Sequence, residues 1–339
     1  MFNELNNKTI LITGGTGSFG KKFIELALKK SKPKKIIIYS RDEQKQFQLR
    51  QKISSDKIRY FIGDIRDKQR LEFATRSVDY ILHAAALKHV EIAEYNPFEV
   101  VKTNILGSQN LIESALKNNV KKVIALSTDK ASSPLNLYGS TKLTSDKLFV
   151  SANNFKGNSK TIFSVVRYGN VMGSRGSVIP LFLKQKQKNI FSVTNKDMTR
   201  FNISLYEGVE FVVKCLRRMI GGEIFVPRIM SYKILDLVKS ISPRPKIKLI
   251  GTRSGEKIDE EMISTSEAVN TVEGQDCYII LPNSKFNKLN KSSFLKKNKN
   301  FKSIKKNFSY NSRDNKFLSI QQLKVLIERN NKDFEKYSD

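Results

Sequence analysis

Tyr138 and Lys142 stand four residues apart in Tyr138-Gly139-Ser140-Thr141-Lys142, a spacing that puts both on one face of a helix. An ammonium beside a phenol draws the phenol's pKa down from its usual value near ~10 and makes it a usable base. Ten residues before Tyr138, the segment Ser127-Thr128-Asp129-Lys130 follows the apolar run Val123–Leu126. It should therefore lie at the C-terminal end of a parallel strand, where open α/β sheets place their ligands. A lone Tyr-x-x-x-Lys recurs by chance, and Asp129–Lys130 alone reads equally as an exposed loop ion pair. Their weight comes from standing together with an upstream Ser/Thr and a glycine-rich turn.

That turn is Thr13-Gly14-Gly15-Thr16-Gly17-Ser18-Phe19-Gly20. Gly14, Gly17 and Gly20 follow a strand and open a helix, so a pyrophosphate can approach the backbone and the helix N-terminus. The spacing differs from G-x-G-x-x-G, with two residues between successive glycines. The second strand ends at Tyr39-Ser40-Arg41-Asp42. An acid at that tip binds ribose hydroxyls, whereas a nearby arginine accepts the extra phosphate of NADP. With Ser40 and Arg41 first, the order favours NADP, against the alternative that Arg41 is a surface charge. Asp64, after the third strand, can meet the adenine edge or cap a helix.

The elements needed to position these groups are legible. Short β-branched runs at Thr9–Thr13, Lys35–Tyr39, Ile58–Ile62, Tyr80–Ala84, Lys122–Leu126 and Phe163–Arg167 alternate with amphipathic stretches such as Phe19–Lys30, Pro97–Lys117 and Ser140–Ala152. The pattern predicts an α/β protein with a doubly wound parallel (Rossmann) sheet and a smaller C-terminal substrate domain. Residues 1–170 are expected to form the NADP-binding domain, with 202–227 returning to it through a helix at Leu205–Ile220 and a strand at Glu223–Pro227. Residues 171–201 and 228–283 are expected to form the substrate region, and 284–339 a basic extension that closes on a helix at Leu318–Ile327.

The 339 residues suffice for one large core or two fused ones, and no apolar run is long enough to cross a bilayer. The start of the chain carries no signal-peptide pattern. Cys215 and Cys277 read as reduced core thiols, so a cytoplasmic protein is expected. Two histidines, His83 and His89, are too few for a His-based metal site, and no metal is expected. The net charge of +29 raises nucleic acid or an anionic surface as a partner. No nucleic-acid-binding signature accompanies it, so it is read as a lysine-rich bias spread over solvated faces. From Ser284 to Phe308 there are nine lysines and no acid, which predicts a mobile, solvated segment.

Together these residues resemble the extended short-chain dehydrogenase/reductases. Thr13–Gly20, Tyr39–Glu43, His83-Ala84-Ala85-Ala86-Leu87-Lys88-His89-Val90, Ser127–Ala131, Tyr138–Lys142, Arg167–Gly176, Met198–Phe201 and Gly221–Pro227 are similar to the inverting UDP-N-acetylglucosamine 4,6-dehydratases of pseudaminic acid synthesis. Sugar dehydratases acting on dTDP-glucose carry Thr-Asp-Glu where this chain has Thr128-Asp129-Lys130, and related Thr-Asp-Lys dehydratases often carry methionine at Tyr138. The family's Arg-Pro-Gly-Glu-Lys-Leu-His-Glu becomes Arg253-Ser254-Gly255-Glu256-Lys257-Ile258-Asp259-Glu260.

The resemblance implies a hydro-lyase that is a homo-oligomer and works on a UDP-sugar. It also implies cofactor contacts from the glycine turn (Thr13, Gly14, Thr16, Gly17, Ser18, Phe19, Gly20), from Ser40, Arg41, Asp64, Ala84, Ala85, Ala86, Lys88 and Asn104, and from Tyr138 and Lys142. Lys88, Tyr138, Asn170, Arg200, Arg253 and Glu256 are expected to meet the substrate. Tyr138, aided by Lys142, would take the proton of the carbon-4 hydroxyl that Thr128 holds. Lys130 would remove the carbon-5 proton if desolvation and nearby cations keep its amine neutral, and Asp129 would protonate the departing carbon-6 hydroxyl. A UDP-sugar 4-epimerase needs Tyr138 and Lys142 but not Asp129 and Lys130. A noncatalytic dinucleotide-binding regulator needs none of them.

Overall fold

The computed structural model describes residues 1–174, 176–282 and 289–337. Arg175, and Lys285 and Lys288 of the lysine-rich segment, lie outside the described residues. In chain order the first half runs β1 (Thr9–Thr13), α1 (Ser18–Lys30), β2 (Lys35–Ser40), α2 (Glu43–Lys52), β3 (Ile58–Ile62), α3 (Lys68–Ala74), β4 (Tyr80–His83), α4 (Val90–Tyr95), α5 (Pro97–Val101), α6 (Gly107–Lys117), β5 (Lys122–Thr128), α7 (Leu137–Phe155) and β6 (Ile162–Tyr168). The strands are β-branched and wholly apolar at the centre: all five residues of β1 are buried. Strands buried on both faces have no polar side to offer solvent, so helices must cover both faces of the sheet.

They do so in a ten-stranded sheet of order β16-β14-β15-β10-β6-β5-β4-β1-β2-β3, whose later strands are placed below. From β3 to β10 the pairings are parallel. The order turns back between β1 and β4, and that switch point is where the glycine turn and Ala84–Ala86 face each other. One apolar cluster holds Ile10, Ile12, Phe23, Val212 and Phe225, and a second holds Leu11, Ile81, Leu111, Phe149 and Phe163.

The stretch 97–117, read as one amphipathic helix, is broken by a π-helical turn at Lys102–Leu106 between α5 and α6. Such turns displace one residue from the regular ladder and gather at functional sites. Here the turn carries Asn104.

After β6 the chain forms β7 (Asn170–Met172), α8 (Val178–Gln185), β8 (Ile190–Val193), β9 (Thr199–Ser204), α9 (Leu205–Arg218), β10 (Ile224–Pro227), β11 (Ser231–Lys233), α10 (Ile234–Ile241) and β12 (Lys246–Leu249). Helix α9 begins with a capping box, in which Ser204 and Glu207 satisfy each other's backbone N–H groups, and it packs against α1. Then follow β13 (Glu261–Ile263), α11 (Thr265–Ala268), β14 (Thr271–Glu273), β15 (Cys277–Ile280), α12 (Lys291–Lys297), β16 (Lys302–Ser303), β17 (Tyr310–Asn311) and α13 (Ile320–Tyr337). A third cluster, with Phe182, Phe191, Leu237, Val238, Leu323 and Ile327, builds the smaller lobe. Helix α13 packs on α10 there.

The described part of the lysine-rich segment differs from the mobile stretch its composition predicts. Asn290 caps α12, Phe294 is buried in the first core cluster, and β16 pairs with β14. Three apolar side chains anchor it: Phe294 and Phe301 meet edge to face at 5.3 Å, and Leu295 packs alongside. A count of charge hides such spaced anchors, while the lysine stems lie on the surface. Phe294→Ala should therefore lower unfolding stability by about 3–5 kcal/mol, as for other buried phenylalanines. Chemical denaturation checks this, and a loss under about 1 kcal/mol would mean that α12 hangs free.

Candidate active site

The glycine turn leaves β1 with Gly14 at φ +65°, in the left-handed region. A Cβ there would come within 2.9 Å of the Ala85 backbone. Only glycine lets β1 and the loop after β4 close to that distance while leaving a groove. Gly14, Tyr39, Ser40, Arg41, Asp64, Ala85, Ala86 and Leu87 line a cavity of about 150 Å³ beside this turn. Helix α1 starts at Ser18 with no side-chain cap on its first N–H groups. A groove of this shape at an uncapped helix N-terminus fits the adenosine and pyrophosphate of a dinucleotide.

Around the groove, Thr16 and Ser40 share a hydrogen bond of 2.9 Å. Asp42 caps α2 through Lys45 N, which removes that acid from the strand tip. Arg41 is half exposed and lies 3.7 Å from Asp64. Asp64 also accepts three hydrogen bonds from Arg66, and this pairing outweighs burial and holds its carboxyl below the usual range. It caps no helix; Asp67 caps α3. Thr13 bonds His83 Nδ1 at 2.8 Å and accepts from Ala85 N. Full burial lowers the His83 pKa to about 3, so it stays neutral. Asn104 is fully engaged: Oδ1 accepts from Leu87 N, and Nδ2 donates to Leu87 O and Thr141 Oγ1. It braces the loop after β4 against α7.

At the end of β5, Thr128 Oγ1 donates to Asp129 Oδ1 at 2.9 Å. The side chain of Asp129 is 1% exposed. Burial, and the carboxylate of Glu260, push its pKa up. Lys130 Nζ lies between carboxylates, 3.1 Å from Asp129 Oδ1 and 2.8 Å from Glu260 Oε1. The condition set for a neutral Lys130 is not met. Burial lowers its pKa, but the two carboxylates outweigh burial and Arg200 and raise it.

Helix α7 carries Tyr138 and Lys142, with Asn136 capping it through Gly139 N. Gly139 lies so close to the Lys130 carbonyl that no Cβ fits, which fixes the distance between the helix and the strand end. The Tyr138 hydroxyl bonds Thr128. Burial pushes its pKa up to about 12, and the cation pulling it down is Lys130. Lys142 donates to Leu126 O at 2.7 Å, and its burial lowers its pKa. The expected pairing of Lys142 with the Tyr138 phenol is thus replaced by a bond to the strand.

Behind this row, Ser127 donates to Asp146, and Asp146 meets Arg167 at 3.2 Å. Arg167 is fully buried and also binds Glu267 at 2.9 Å and Met262 O. The network ties β5, α7, β6 and the segment after β13 into one rigid wall. Sequence reading missed Asp146, Glu267 and Glu260, since their meaning lies in long-range pairings.

Lys130 opens on a cavity of about 930 Å³ lined by Lys88, Asn170, Arg200, Arg253, Glu256 and Glu260, with apolar walls that include Phe182, Val193, Met198 and Ile234. This volume suits a nucleotide sugar. Five of the six residues expected at a substrate, Lys88, Asn170, Arg200, Arg253 and Glu256, thus line one cavity with Lys130, although 168 positions separate Lys88 from Glu256 in the sequence. Arg200 is nearly buried; it donates to Ile258 O and Lys257 O and lies 3.5 Å from Glu256 and 3.7 Å from Glu260. Asn170 bonds the Tyr232 hydroxyl. Arg253 is exposed at the rim, 3.3 Å from Glu91.

Known proteins are similar to this chain in sequence and fold. The family described as polysaccharide biosynthesis protein matches residues 10–282. A Campylobacter jejuni protein named UDP-N-acetylglucosamine 4,6-dehydratase (inverting) is 54% identical over 313 residues, 91% of this chain and 94% of its own. A Rickettsia conorii protein named UDP-glucose 4-epimerase is 38% identical and covers 95% of each chain. The X-ray structure of Pen from Bacillus thuringiensis superposes with a TM-score of 0.88 at 39% identity, covering 96% of this chain and 99% of that one. The chain belongs to the polysaccharide biosynthesis family of Rossmann-fold, short-chain dehydrogenase/reductase-like enzymes.

Proposed function

We propose that this protein is an NADP-dependent hydro-lyase, a UDP-N-acetylglucosamine 4,6-dehydratase that inverts carbon 5. The observation that carries the reading is one row of bonded groups, Tyr138 on Thr128, then buried Asp129, then Lys130, which lines the large cavity. Tyr138 takes the proton of the carbon-4 hydroxyl, which Thr128 holds. Bound NADP supplies the acceptor for the hydride of carbon 4 and its donor to carbon 6. Lys130 takes the carbon-5 proton, made acidic by the new ketone. Asp129, whose pKa is raised by burial and by the Glu260 carboxylate, gives its proton to the departing carbon-6 hydroxyl. Reprotonation of carbon 5 from the other face inverts it.

Lys88, Asn170, Arg200, Arg253 and Glu256 are assigned to the UDP-sugar; arginines suit a diphosphate and carboxylates suit ribose hydroxyls. Thr13, Gly14, Thr16, Gly17, Ser18, Phe19 and Gly20, with Ser40, Arg41, Asp64 and Ala84–Ala86, are assigned to the cofactor. The reading includes a homo-oligomer in the cytoplasm that serves pseudaminic acid synthesis. Exposed Ile92, Tyr95 and Phe98 on consecutive helices α4 and α5 support self-association. Among the described residues no helix is long and apolar enough to cross a membrane.

The 4-epimerase reading is favoured by Rickettsia relatives of that name, which are less similar than the dehydratase relatives, and it leaves Asp129 and Lys130 without work. NMR of the product from UDP-N-acetylglucosamine decides between them: a 4-keto-6-deoxy sugar supports the dehydratase, and a 4-epimer overturns it. Because hydride leaves and returns within one turnover, multiple turnovers should proceed with no added reductant and no build-up of free NADPH. Stoichiometric NADPH would sink both readings.

NADP preference is tested at Arg41. A charge-assisted hydrogen bond contributes roughly 1.5–3 kcal/mol, so Arg41→Ala should weaken NADP binding about tenfold or more. NAD binding should change little. Titration of both cofactors checks this, and equal weakening would mean that Arg41 pairs only with Asp64.

A further inference from the structure

We propose that Glu260 is a positioning residue that receives the ammonium proton of Lys130, leaving a neutral amine to take the carbon-5 proton. The inference rests on the dehydratase reading above. It starts from a conflict within the site. Lys130 lies 2.8 Å from the Glu260 carboxylate, with the Asp129 carboxyl at 3.1 Å on its other side, so at rest it is an ammonium, and an ammonium cannot be a base.

Its proton must go to a hydrogen-bonded acceptor. Nζ has two carboxylate partners, Asp129 Oδ1 at 3.1 Å and Glu260 Oε1 at 2.8 Å. Asp129 is committed as an acid, since it must hold a proton for the leaving hydroxyl. Glu260 is the other acceptor and the nearer one; Asp129 Oδ2 is likewise buried without a hydrogen-bond partner among the described residues, so distance and the acid role of Asp129 separate the two.

Glu260 is built for that task. Its side chain is 2% exposed, and Oε2 is buried with no hydrogen-bond partner among the described residues. A carboxylate with one oxygen on Lys130 and the other unpartnered has room for a proton. Its backbone is clamped on both sides by Ser312: Ser312 Oγ accepts from Glu260 N at 2.9 Å, and Ser312 N donates to Glu260 O at 2.8 Å. β13 and β17 pair directly afterwards. Position is therefore set by the fold, not by the ion pair.

The step balances. The N–H bond of the Lys130 ammonium breaks as the O–H bond of a neutral Glu260 carboxyl forms. The amine lone pair then takes the proton of carbon 5, and the C–H electron pair passes into the enolate of the 4-ketone. After the product leaves, the surplus proton departs to solvent and the resting ion pair returns. The groups facing Lys130 are Asp129, Glu260, Arg200, Tyr138, Tyr232 and Lys257. Arg200 and Lys257 favour loss of the Lys130 proton, but together with Lys130 they outweigh burial and hold the Glu260 carboxyl below its usual range, so at rest the ion pair prevails and the neutral pair is a minor population.

The test is Glu260→Gln, whose amide oxygen still accepts from Lys130 but cannot take its proton. Exchange of carbon 5 with deuterated water, in product and recovered substrate, is followed by NMR across pH. Oxidation of carbon 4 is followed separately by absorbance of the bound reduced nicotinamide in a single turnover. Wild type should exchange readily at neutral pH. Glu260→Gln should exchange about tenfold or more slowly there and recover as pH rises, because the proton then leaves to solvent. Oxidation of carbon 4 should stay within a few-fold, and Glu260→Asp should restore part of the exchange. Wild-type exchange in Glu260→Gln overturns the proposal and hands the proton to Asp129. A loss equal at every pH, or an equal loss of carbon-4 oxidation, also overturns it, because that is the mark of a merely structural residue. If wild type itself forms only a 4-epimer without exchange at carbon 5, the dehydratase reading fails first and takes the proposal with it.

Discussion

Lys130→Ala is expected to lose formation of the 4-keto-6-deoxy product by about 10²–10⁴-fold, the usual contribution of a positioned base. In the proposed mechanism oxidation of carbon 4 is assigned to Tyr138 and Thr128, so it should persist and a single turnover should still show a reduced nicotinamide. Deuterium from solvent should enter carbon 5 in the wild type and scarcely at all in the variant. Truncation has a structural cost too. Lys130 is the cation between Asp129 and Glu260, both almost fully buried. Removing one partner of a buried pair costs roughly 3–5 kcal/mol, because the Glu260 carboxylate loses its compensation. Lys130→Gln keeps a donor between the carboxylates and separates chemistry from folding. Binding of UDP and of NADP to each variant, by calorimetry, should stay near wild type. A Lys130→Gln protein that dehydrates at the wild-type rate with full deuterium uptake would show that Lys130 is not the base.

That experiment bears on residues of two kinds. The glycine turn, Thr128-Asp129-Lys130 and Tyr138–Lys142 are legible in the sequence because each is a local pattern tied to an element boundary. β1 ends at Thr13, β5 ends at Thr128, and α7 begins at Leu137, so each motif lies where a strand or helix delivers it. The parallel sheet is legible for the same reason: its central strands are short buried runs of β-branched and apolar residues. What escaped is set by contacts between distant segments. Glu260 meets Lys130 across 130 positions, and Arg167 meets Glu267 across 100. No spacing rule joins such pairs. Glu260 does carry a local signal, a carboxylate at the end of the Arg253–Glu260 motif just before a short strand, but nothing in that signal names Lys130 as its partner. The pKa logic around Tyr138 and Lys130 was also misjudged from sequence, because it depends on which charge faces which group. Lys142 turns to Leu126 O, and Lys130 faces carboxylates where cations were expected.

Asp129→Asn should separate the two halves of the elimination. Asp129 can act as the acid for the carbon-6 hydroxyl because burial and the Glu260 carboxylate hold its pKa above the ordinary carboxylate value. Asparagine matches it in shape and can still accept from Thr128, but it has no acidic proton to give. Loss of the 4-keto-6-deoxy product should again reach about 10²–10⁴-fold. Carbon 5 should nevertheless exchange with solvent, since Tyr138, Lys130 and Glu260 remain; deuterium should appear in substrate recovered after the reaction. This is the reverse of Lys130→Ala, which loses product and exchange together. The pH dependence has a definite sign. An acid works only while protonated, so wild-type product formation should fall as pH rises through the raised pKa of Asp129, whereas exchange at carbon 5, which needs a neutral amine, should not fall with it. An Asp129→Asn enzyme that makes product at the wild-type rate would assign the carbon-6 proton to Tyr138 or to water.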